Sequence, residues 1–359
     1  MEEFSCKTKI ISGLGAIWEL GKLGIQRVLI VADPYFQNTD LPDKLKIATK
    51  AEVCEFFFQV TPDPSVELAA KGTALVQAFR PDTVIALGGG SAMDCAKAMA
   101  YFSGLKPRLV AIPTTSGSGS EVTDFAVLTH GDSKHPLVDG ALQPEVAILD
   151  GNLLNTLPQS LVADAGYDIV AHAVESYVAT GAGAISESLA RDAFSVAYTA
   201  LPASFAGATR VRQRIHLAAT MAGIAFSQSG LGLCHAMSHA LGGRFHVAHG
   251  RLNAILLPAV VEVNVSSHAK YAELARGAGL GGTADVMAVR NLKNALIRLR
   301  KELQLPQTLA QAGISPRQLQ QEKGAIIKAS LSDPCCATNP VKPDEALVGR
   351  VLDQVSGIG

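Results

Sequence analysis

The chain has 359 residues and a formal net charge of −1, and 48% of its residues are hydrophobic while only 5% are aromatic. Its basic residues form no stripe along the sequence, which argues against nucleic acid or an anionic membrane as a partner. No apolar stretch approaches the roughly 20 residues of a membrane span, and the first residues lack the basic and apolar regions of a signal peptide, so we expect a cytoplasmic, two-domain protein that acts on small molecules.

The first part of the chain alternates strand-like and helix-like patterns. Apolar runs typical of buried strands occupy residues 27–32, 53–58, 83–87, 108–112 and 146–149. Helical patterns between them include residues 66–79 and 92–102. Such alternation predicts βαβ units and therefore a mostly parallel, doubly wound sheet. The polar, turn-rich segment 131–141 is expected to leave that sheet as a hairpin.

A glycine turn follows the apolar run at 83–87. Gly88, Gly89, Gly90 and Ser91 join this run to a helical pattern. Glycines let the backbone approach a ligand, and the N-terminus of the following helix offers free N–H groups and the positive end of the helix dipole. Ser91 is the expected N-cap of that helix. The segment predicts a phosphate cradle, although a simple tight turn has the same composition.

A hydroxyl-rich loop follows the next predicted strand. Residues 113–121 read PTTSGSGSE and come directly after the apolar run at 108–112. In doubly wound sheets ligands bind beyond the carboxyl ends of the strands, and both this loop and the glycine turn fall there. The loop is suited to binding phosphate or ribose, whereas a solvated surface loop would have a similar composition.

From residue 158 onward the sequence consists mainly of helical patterns with hardly any strand signal. Helices are predicted at residues 158–179, 186–201, 209–227, 234–241 and 285–303. We therefore expect an α/β dinucleotide-binding domain at residues 1–155 and an all-α domain at residues 156–359, which carries the metal-ligand candidates.

Four potential metal ligands lie in the helical part. Asp168 and His172 are spaced i, i+4, so a helix places them one turn apart on the same side. His235 and His249 are separated by 14 positions, so the helix that contains His235 must end before the chain returns to His249.

Gly242 and Gly243 lie between the two histidines and would permit such a return, because glycine accepts the backbone angles of tight turns. Three imidazoles and one carboxylate suit Fe²⁺ or Zn²⁺ better than Ca²⁺ or Mg²⁺, which prefer oxygen ligands. A lone histidine is more often a structural residue, but four ligand-type side chains in this arrangement favour one divalent metal site.

Taken in this order, the motifs closely resemble those of the iron-containing (group III) alcohol dehydrogenases. The resemblance covers nearly the whole chain and lies in the segments VLIVAD, GGGSAMDCAKA, PTTSGSGSEVT, PEVAILD, GYDIVAHAVESYV, CHAMSHALGGRFHVAHGRLNAILLP and SDPCCATNP. It implies the dehydroquinate synthase-like architecture, in which a doubly wound, Rossmann-like α/β domain is followed by an all-α C-terminal domain. Within the family, the short N-terminus and the segments TPDPS and AFSQSGLGLCHA look most like the microcompartment-type propanol dehydrogenases and related small-alcohol dehydrogenases.

The resemblance implies a role for each matching residue. Asp168, His172, His235 and His249 match the four metal ligands, with Fe²⁺ as the expected ion and Zn²⁺ as the alternative. His239 matches a histidine that lies near the nicotinamide without binding metal, and both support of a metal ligand and proton transfer are open roles for it. The remaining matches bind the cofactor NAD: Gly88, Gly89, Gly90, Ser91 and Asp94 at the pyrophosphate turn, Thr114, Thr115, Ser118 and Thr123 on the loop that lines the cofactor cleft, and Lys134 near the cofactor ribose.

Asp33 ends the apolar run at 27–32 and matches the family position near the adenosine ribose. A carboxylate there would accept hydrogen bonds from a 2′-hydroxyl and repel a 2′-phosphate, which predicts a preference for NAD(H) over NADP(H). Because Pro34 follows, the alternative is that Asp33 only opens a turn at the end of the strand.

The chain also departs from the family pattern near the last two histidines. Ala240 and Ala248 stand where many relatives have prolines, and Arg251 stands where an aliphatic residue is common. These changes leave the four predicted ligands in place but affect the loop geometry and the shape of the alcohol pocket.

The implied activity is that of an NAD(H)-dependent, metal-dependent alcohol dehydrogenase. It would interconvert a short-chain primary alcohol and its aldehyde, propanol and propionaldehyde or ethanol and acetaldehyde, by hydride transfer at a metal-polarised oxygen. Phosphorylated or carboxylated substrates would need basic residues in the pocket, and only Arg244 and Arg251 lie near the metal motif. The alternatives are a glycerol or diol dehydrogenase of the same fold and a catalytically silent binding or scaffold component.

The expected partners follow from the same resemblance. They are a small alcohol or aldehyde, a second copy of the chain in a homodimer or higher homo-oligomer, and the shell or the aldehyde-producing enzymes of a bacterial microcompartment. Neither nucleic acid nor a membrane is expected as a partner.

Overall fold

The computed structural model describes residues 4–131, 133–264 and 267–357. Within these ranges the chain forms two compact units, one of residues Ser5–Thr156 and one of the residues from Leu157 onward together with Phe4. The outermost residues of the two expected domains, and Asp132 of the expected hairpin, lie outside the described ranges.

No single helix of the described ranges is long and apolar enough to cross a membrane. One pair of helices, 209–229 and 233–245, meets the length and composition requirements jointly and is bent by 104°.

The N-terminal unit alternates strands and helices. Its strands are β1 (Lys9–Ser12), β2 (Arg27–Ala32), β3 (Val53–Phe57), β4 (Thr83–Gly88), β5 (Arg108–Pro113), β6 (Phe125–His130), β7 (Ser133–Val138) and β8 (Val146–Leu149). Its α-helices are α1 (Leu41–Thr49), α2 (Val66–Phe79) and α3 (Gly90–Phe102). Every strand and helix predicted before the hairpin, and the last strand, is present, whereas β1 and α1 were not predicted.

Six of these strands form one parallel sheet in the order β1-β8-β5-β4-β2-β3. In β2, Val28 and Ile30 pack into an apolar cluster that includes side chains of α1. Leu29 and Val31 pack into a second cluster with side chains of α2 and α3. Because alternate residues of a strand face opposite sides, both faces of the sheet are covered, which explains the continuous apolar runs of its central strands. The doubly wound sheet was correctly predicted.

The strands β6 and β7 pair antiparallel in a separate two-stranded ribbon. A hairpin is therefore present, but it begins at Phe125 rather than at Gly131. Its first strand alternates partly buried and buried residues over FAVLTH and was missed, because only the polar, turn-rich half of the ribbon stands out in the sequence.

The second unit is helical. Its α-helices are α4 (Gln159–Val178), α5 (Ala184–Phe205), α6 (Arg212–Ser229), α7 (Leu233–Phe245), α8 (His249–Val263), α9 (His268–Gly277), α10 (Asp285–Glu302), α11 (Pro316–Ser332) and α12 (Glu345–Val355). The five predicted helices correspond to α4, α5, α6, α7 and α10, and the other four were not predicted. The helix α4 is buried along most of its length and contributes to one large apolar cluster with its neighbours, so it forms the centre of this unit.

The helix α8 contains a proline in its interior. Pro258 has no N–H group, so the carbonyl of Ala254, four residues earlier, lacks its usual helical donor. The buried Arg300 of α10 reaches this point, and its Nη1 donates to the carbonyl oxygens of Ala254 at 3.2 Å and Ile255 at 3.5 Å. A side chain from a neighbouring helix thus replaces the missing backbone hydrogen bond of α8.

Candidate metal centre and cofactor turn

The central helix α4 presents four ionisable side chains on one face. Asp164, Asp168, His172 and Glu175 are spaced by four, four and three residues, which places them in one stripe along the helix. All four are buried. Burial of a charged side chain costs free energy unless specific partners compensate for the lost water, so the partners of these residues define the site.

The helices α7 and α8 add two histidines. His235 lies in the first turn of α7, and His249 is the first residue of α8. The chain turns between them at His246, which adopts a left-handed conformation with φ 53°. Gly242 and Gly243, which would permit this return, lie inside α7 instead. Glycine permits a turn but does not impose one, and the packing of α7 keeps these two residues helical.

The helix α8 approaches α4 closely at Gly250. A Cβ atom at this position would overlap the carbonyl oxygen of Asp164 and lie 3.2 Å from the Cβ of Asp168. Only glycine allows the first turn of α8 to pass so near to α4. Gly250 therefore sets the position of the preceding residue, His249, beside the acidic face of α4.

Asp168, His235 and His249 form the core of the candidate metal centre. The Oδ1 atom of Asp168 lies 3.8 Å from Nε2 of His235 and 3.6 Å from Nε2 of His249. One donor atom from each residue lies within 4.8 Å of the other two. Burial lowers the pKa of His235 well below its usual value, and the neighbouring histidines lower it further, so its imidazole is neutral and able to bind a metal ion.

His172 lies beside this core in a different orientation. Its ring stacks on the rings of His235 and Phe226, with centroids 4.5 Å apart in both cases. Its Nδ1 atom is 3.9 Å from Oδ2 of Asp168. The structure thus brings the donor atoms of three of the four predicted ligands together. The fourth, His172, lies beside them and stacks its ring on that of His235.

Glu175 belongs to the site but was missed in the sequence. Its Oε2 lies 2.6 Å from Nδ1 of His235, and its oxygens accept from the backbone N–H groups of Gly232, Cys234 and His235. The ionised form of Glu175 can only accept, so Nδ1 is then the donor of this hydrogen bond. These backbone N–H groups begin α7, where no helical carbonyl can accept from them. Burial raises the pKa of Glu175 to about 7, against the opposing effect of these backbone hydrogen bonds. The available sequence signal was the i, i+7 spacing from Asp168.

The donor set fits a first-row divalent ion. A carboxylate oxygen and neutral imidazole nitrogens meet in a buried place, whereas Ca²⁺ and Mg²⁺ would need more oxygen ligands. Because Glu175 accepts from Nδ1 of His235, the lone pair of this ring lies on Nε2, the nitrogen that faces Asp168. Asn253, one turn after His249 on α8, donates from Nδ2 to Oδ1 of Asp168 at 2.7 Å and was likewise missed.

His239 lies one turn after His235 on α7 and belongs to a neighbouring group. Its Nδ1 is 2.9 Å from Oδ2 of Asp333, and its ring stacks on that of His249 with the centroids 5.0 Å apart. Burial opposes ionisation of Asp333, but hydrogen bonds from His239 and from the backbone of Cys335 hold the pKa of this carboxyl below its usual value. An ionised carboxylate only accepts, so Nδ1 of His239 bears a proton, and in the neutral imidazole the lone pair then lies on Nε2.

In the N-terminal unit, the glycine turn lies at the carboxyl end of β4. This strand is flanked by β2 and β5, so three strand ends meet at this edge of the sheet. Gly88 has a φ of 149°, and a Cβ atom there would lie 2.6 Å from the Cβ of Ala92. The helix α3 begins at Gly90 with Gly89 as its N-cap, so the prediction that Ser91 is the N-cap was wrong. The chain enters the helix earlier than predicted, because a glycine can act as the cap itself.

The hydroxyl-rich loop packs over this turn. The backbone N–H of Thr114 donates to the carbonyl of Gly88 at 2.9 Å. A Cβ atom at Gly89 would lie 3.2 Å from Oγ1 of Thr115, and one at Gly90 would lie 3.3 Å from the Cβ of Ser118. The structure therefore assembles these predicted cofactor residues in one place, with Thr115 and Ser118 partly exposed and Thr114 buried.

Thr123 lies deeper than Thr115 and Ser118, whereas Asp94 is partly exposed. Thr123 is fully buried, and its carbonyl and hydroxyl oxygens accept from Nζ of the buried Lys97 at 2.8 and 3.0 Å. The Oδ1 atom of Asp94 is buried and has no hydrogen-bond partner among the described residues. Burial raises the pKa of Asp94 to about 6 and lowers that of Lys97 to about 8. Thr123 is therefore held by Lys97, which fixes the far end of the loop.

Lys134 and Asp33 lie at the margins of the turn. Lys134 forms an ion pair of 2.6 Å with Asp63, whose backbone N–H donates to Oγ of Ser91. Asp33 caps the 3-10 helix at Pro34–Asn38 by accepting from the backbone N–H of Tyr35 at 3.3 Å. Its Oδ2 also lies 3.5 Å from the Cβ position of Gly88. Asp33 thus combines the local capping role with a place next to the glycine turn.

Family models match both parts of the chain. The model described as iron-containing alcohol dehydrogenase matches residues 7–151, and the model of the C-terminal part of the Fe-containing alcohol dehydrogenase family matches residues 162–355.

Three individual proteins illustrate the similarity. The 1-propanol dehydrogenase PduQ of Citrobacter freundii is 36% identical over 369 residues, which cover 99% of this chain and 100% of the relative. The NADPH-dependent butanol dehydrogenase of Clostridium saccharobutylicum is 35% identical over 380 residues, with 99% and 98% coverage. The solved structure of the iron-containing alcohol dehydrogenase of Thermococcus thioreducens matches with a TM-score of 0.93 at 32% identity, covering 99% of this chain and 100% of that one. These matches confirm the predicted fold class.

Proposed function

Because the chain belongs to the iron-containing alcohol dehydrogenase family, we propose that it is an NAD(H)-dependent, metal-dependent enzyme that interconverts a short-chain primary alcohol and its aldehyde. The observation that carries the proposal is the convergence of donor atoms from Asp168, His235 and His249 within 4.8 Å of one another. His172 completes the set of proposed ligands. Propanol with propionaldehyde, or ethanol with acetaldehyde, is the proposed substrate pair.

The proposed ligands, Glu175 and His239 have different roles in the proposed reaction. The four proposed ligands would hold a first-row divalent ion, which would supply a Lewis acid that favours loss of the proton from an alcohol oxygen. Glu175 holds His235 in the tautomer that leaves Nε2 free for this ion. His239, whose Nδ1 donates to Asp333, keeps the lone pair of Nε2 available to accept a proton and to return it in the opposite direction.

The charges near the proposed ligands favour a neutral substrate. Arg251 donates from Nε and Nη2 to the two carboxylate oxygens of Asp164 at 3.1 and 2.9 Å. Arg244 pairs with Glu322 at 2.8 Å. Both arginines near the metal motif are therefore already engaged by carboxylates, and a phosphorylated or carboxylated substrate would have to compete with them. A short uncharged alcohol or aldehyde needs no such cation.

For the cofactor we propose NAD(H), bound at the glycine turn and the loop above it. The first turn of α3 offers backbone N–H groups for the pyrophosphate, and Thr115 and Ser118 offer hydroxyl groups that are partly exposed. Asp33 beside this turn favours a free 2′-hydroxyl over a 2′-phosphate. One of the similar proteins is named as NADPH-dependent, so the preference of this chain needs a direct test.

The further partners are proposals that rest on similarity to the propanol dehydrogenases. They are a second copy of the chain in a homodimer or higher homo-oligomer, and the shell or aldehyde-producing enzymes of a microcompartment. Sedimentation of the purified protein tests the first, and co-fractionation with shells tests the second.

The deciding experiment is anaerobic reconstitution of the metal-free protein with Fe²⁺ or with Zn²⁺, followed by NADH oxidation with ethanal, propanal and butanal. We expect turnover only in the metal-loaded protein. His249→Ala should bind NADH normally but lose both metal and turnover. Near-normal activity of metal-free His249→Ala would overturn the proposal, and turnover of glycerol in preference to the short alcohols would overturn the substrate class.

His239 can be tested in the same assay. We expect His239→Ala to retain the metal and to lose activity by more than about a hundredfold, because proton transfer contributes factors of about 10² to 10⁴. A modest loss with metal retained would show that His239 only supports a neighbouring ligand.

A further inference from the structure

One amide nitrogen lies next to three of the proposed metal ligands. Asn253 is fully buried on α8, and its Nδ2 is 2.7 Å from Oδ1 of Asp168. The same nitrogen is 3.3 Å from Nε2 of His235 and 3.2 Å from Nε2 of His249. An amide group has two N–H protons, so it cannot donate fully to three acceptors at once. One amide needs only two acceptors, yet three lone-pair atoms point to the same place. This is the arrangement expected of three atoms that bind a single cation.

The other end of the amide fixes its orientation. The Oδ1 atom of Asn253 accepts a hydrogen bond from the hydroxyl of Ser238, and the thiol of Cys234 lies 3.5 Å from it. Both groups can donate to this oxygen, and both belong to α7. Rotating the amide by half a turn would place its oxygen against Oδ1 of Asp168, and a carboxylate cannot donate to it. The orientation with Nδ2 towards the ligands is thus the one that the hydrogen bonds allow.

We propose that Asn253 is a positioning residue of the metal centre. Its amide fixes Oδ1 of Asp168 and keeps Nε2 of His235 and His249 gathered near that oxygen, so that the ligands do not need to be ordered when the ion binds. The inference rests on the proposed function, because it assumes that these donors bind a divalent first-row ion. It adds that Ser238, through the oxygen of Asn253, contributes to the affinity for the ion without touching it.

A purely structural role is the alternative. In that case Asn253 would only join α8 to α4 and α7, and its removal would lower stability without a specific effect on metal binding. Asn264 offers a matched control on this point. It is also a buried asparagine of the helical unit, and it hydrogen-bonds to Tyr271 and Asn339 rather than to a proposed ligand.

The test is Co²⁺ binding by the full-length, metal-free protein, followed through the visible absorption of the bound ion. The variants are Asn253→Leu, Ser238→Ala and Asn264→Leu. We expect Asn253→Leu to bind Co²⁺ about ten- to a hundredfold more weakly and with a changed spectrum, as is typical when a group that orients a metal ligand is removed. Asn264→Leu should lower the melting temperature but leave the Co²⁺ affinity and spectrum unchanged.

Ser238→Ala keeps the test decisive if Asn253→Leu does not fold. It removes one small hydroxyl, and we expect a weaker but clear loss of Co²⁺ affinity. Wild-type affinity and spectrum in either folded variant would overturn the positioning role, as would equal losses in Asn264→Leu. Failure of the unsubstituted protein to bind Co²⁺ would instead overturn the metal centre itself, and the role of Asn253 with it.

Discussion

Replacing Glu175 by glutamine should weaken metal binding although the side chain keeps its size. In the structure Oε1 accepts from the N–H of Cys234 at 2.7 Å, and Oε2 accepts from Nδ1 of His235 at 2.6 Å. A glutamine amide has only one oxygen. If it faces His235, the NH₂ group meets the N–H of Cys234. If it faces Cys234, the NH₂ group meets Nδ1, and the imidazole must move its proton to Nε2, the atom assigned to the metal.

The first arrangement sets two buried donors against each other, and the second places a proton on the nitrogen of His235 that is assigned to the metal. The cost of a buried polar group without its partner is about 1 to 3 kcal/mol. If this cost falls on the metal-bound state, it corresponds to about 5- to 150-fold weaker binding. The assay is competition for Zn²⁺ between the metal-free protein and a chromophoric chelator. Glu262→Gln is the matched control, because Glu262 pairs with Lys293 and Gln354 at the surface of the same unit.

The control should change Zn²⁺ affinity by less than about twofold, since exposed ion pairs contribute little. Circular dichroism establishes that both variants are folded. Equal Zn²⁺ affinity in Glu175→Gln and the unsubstituted protein would refute the assignment of Glu175 as the group that sets the tautomer of His235.

Three further outcomes are expected. Asp33→Ala should improve the use of NADPH and impair that of NADH in steady-state kinetics, whereas equal losses for both would leave only the capping role. Gly250→Ala should lower the free energy of unfolding by about 1 to 3 kcal/mol in chemical denaturation, because the added Cβ has no space. Gly243→Ala is the control: it also lies in a helix, nothing lies within 4 Å of the added Cβ, and the change should be neutral or slightly stabilising. Near pH 8, iodoacetamide should modify the partly exposed Cys6 well before Cys336, because burial raises the pKa of Cys336 to about 12 and leaves almost no thiolate. Mass spectrometry of the labelled protein measures the order, and labelling of Cys336 first would contradict the prediction.

Much of the fold was predictable because its signals are local. The apolar run of β2 and the period of α2 give their bounds without reference to the rest of the chain. The glycine turn is also local, although its cap is Gly89 rather than Ser91. The turn before His249 was not predictable, because His246 adopts a left-handed conformation that its residue type does not indicate.

The site was predictable only in part for a related reason. The i, i+4 spacing of Asp168 and His172 is visible in the sequence, and the chemistry of their side chains indicates a metal site. Glu175 and Asn253 have no such signature, because their roles arise from contacts across three helices at sequence separations of 60 and 85 residues. Thr123, a predicted cofactor residue, is also buried and accepts from Lys97, a contact that the sequence did not indicate. Such assignments depend on packing, which a single sequence does not reveal.

The pairing of Arg300 with the proline-interrupted α8 constrains the order in which substitutions can accumulate. With Arg300 present, a proline at position 258 removes an N–H group whose acceptor already has another donor. Without Arg300, the same proline leaves the carbonyl of Ala254 buried with no donor. An alanine at 258 restores the helical donor, so the carbonyl of Ala254 then has a hydrogen-bond donor with or without Arg300. The two positions are thus expected to change together among related sequences, with the arginine acquired before the proline and the proline lost before the arginine.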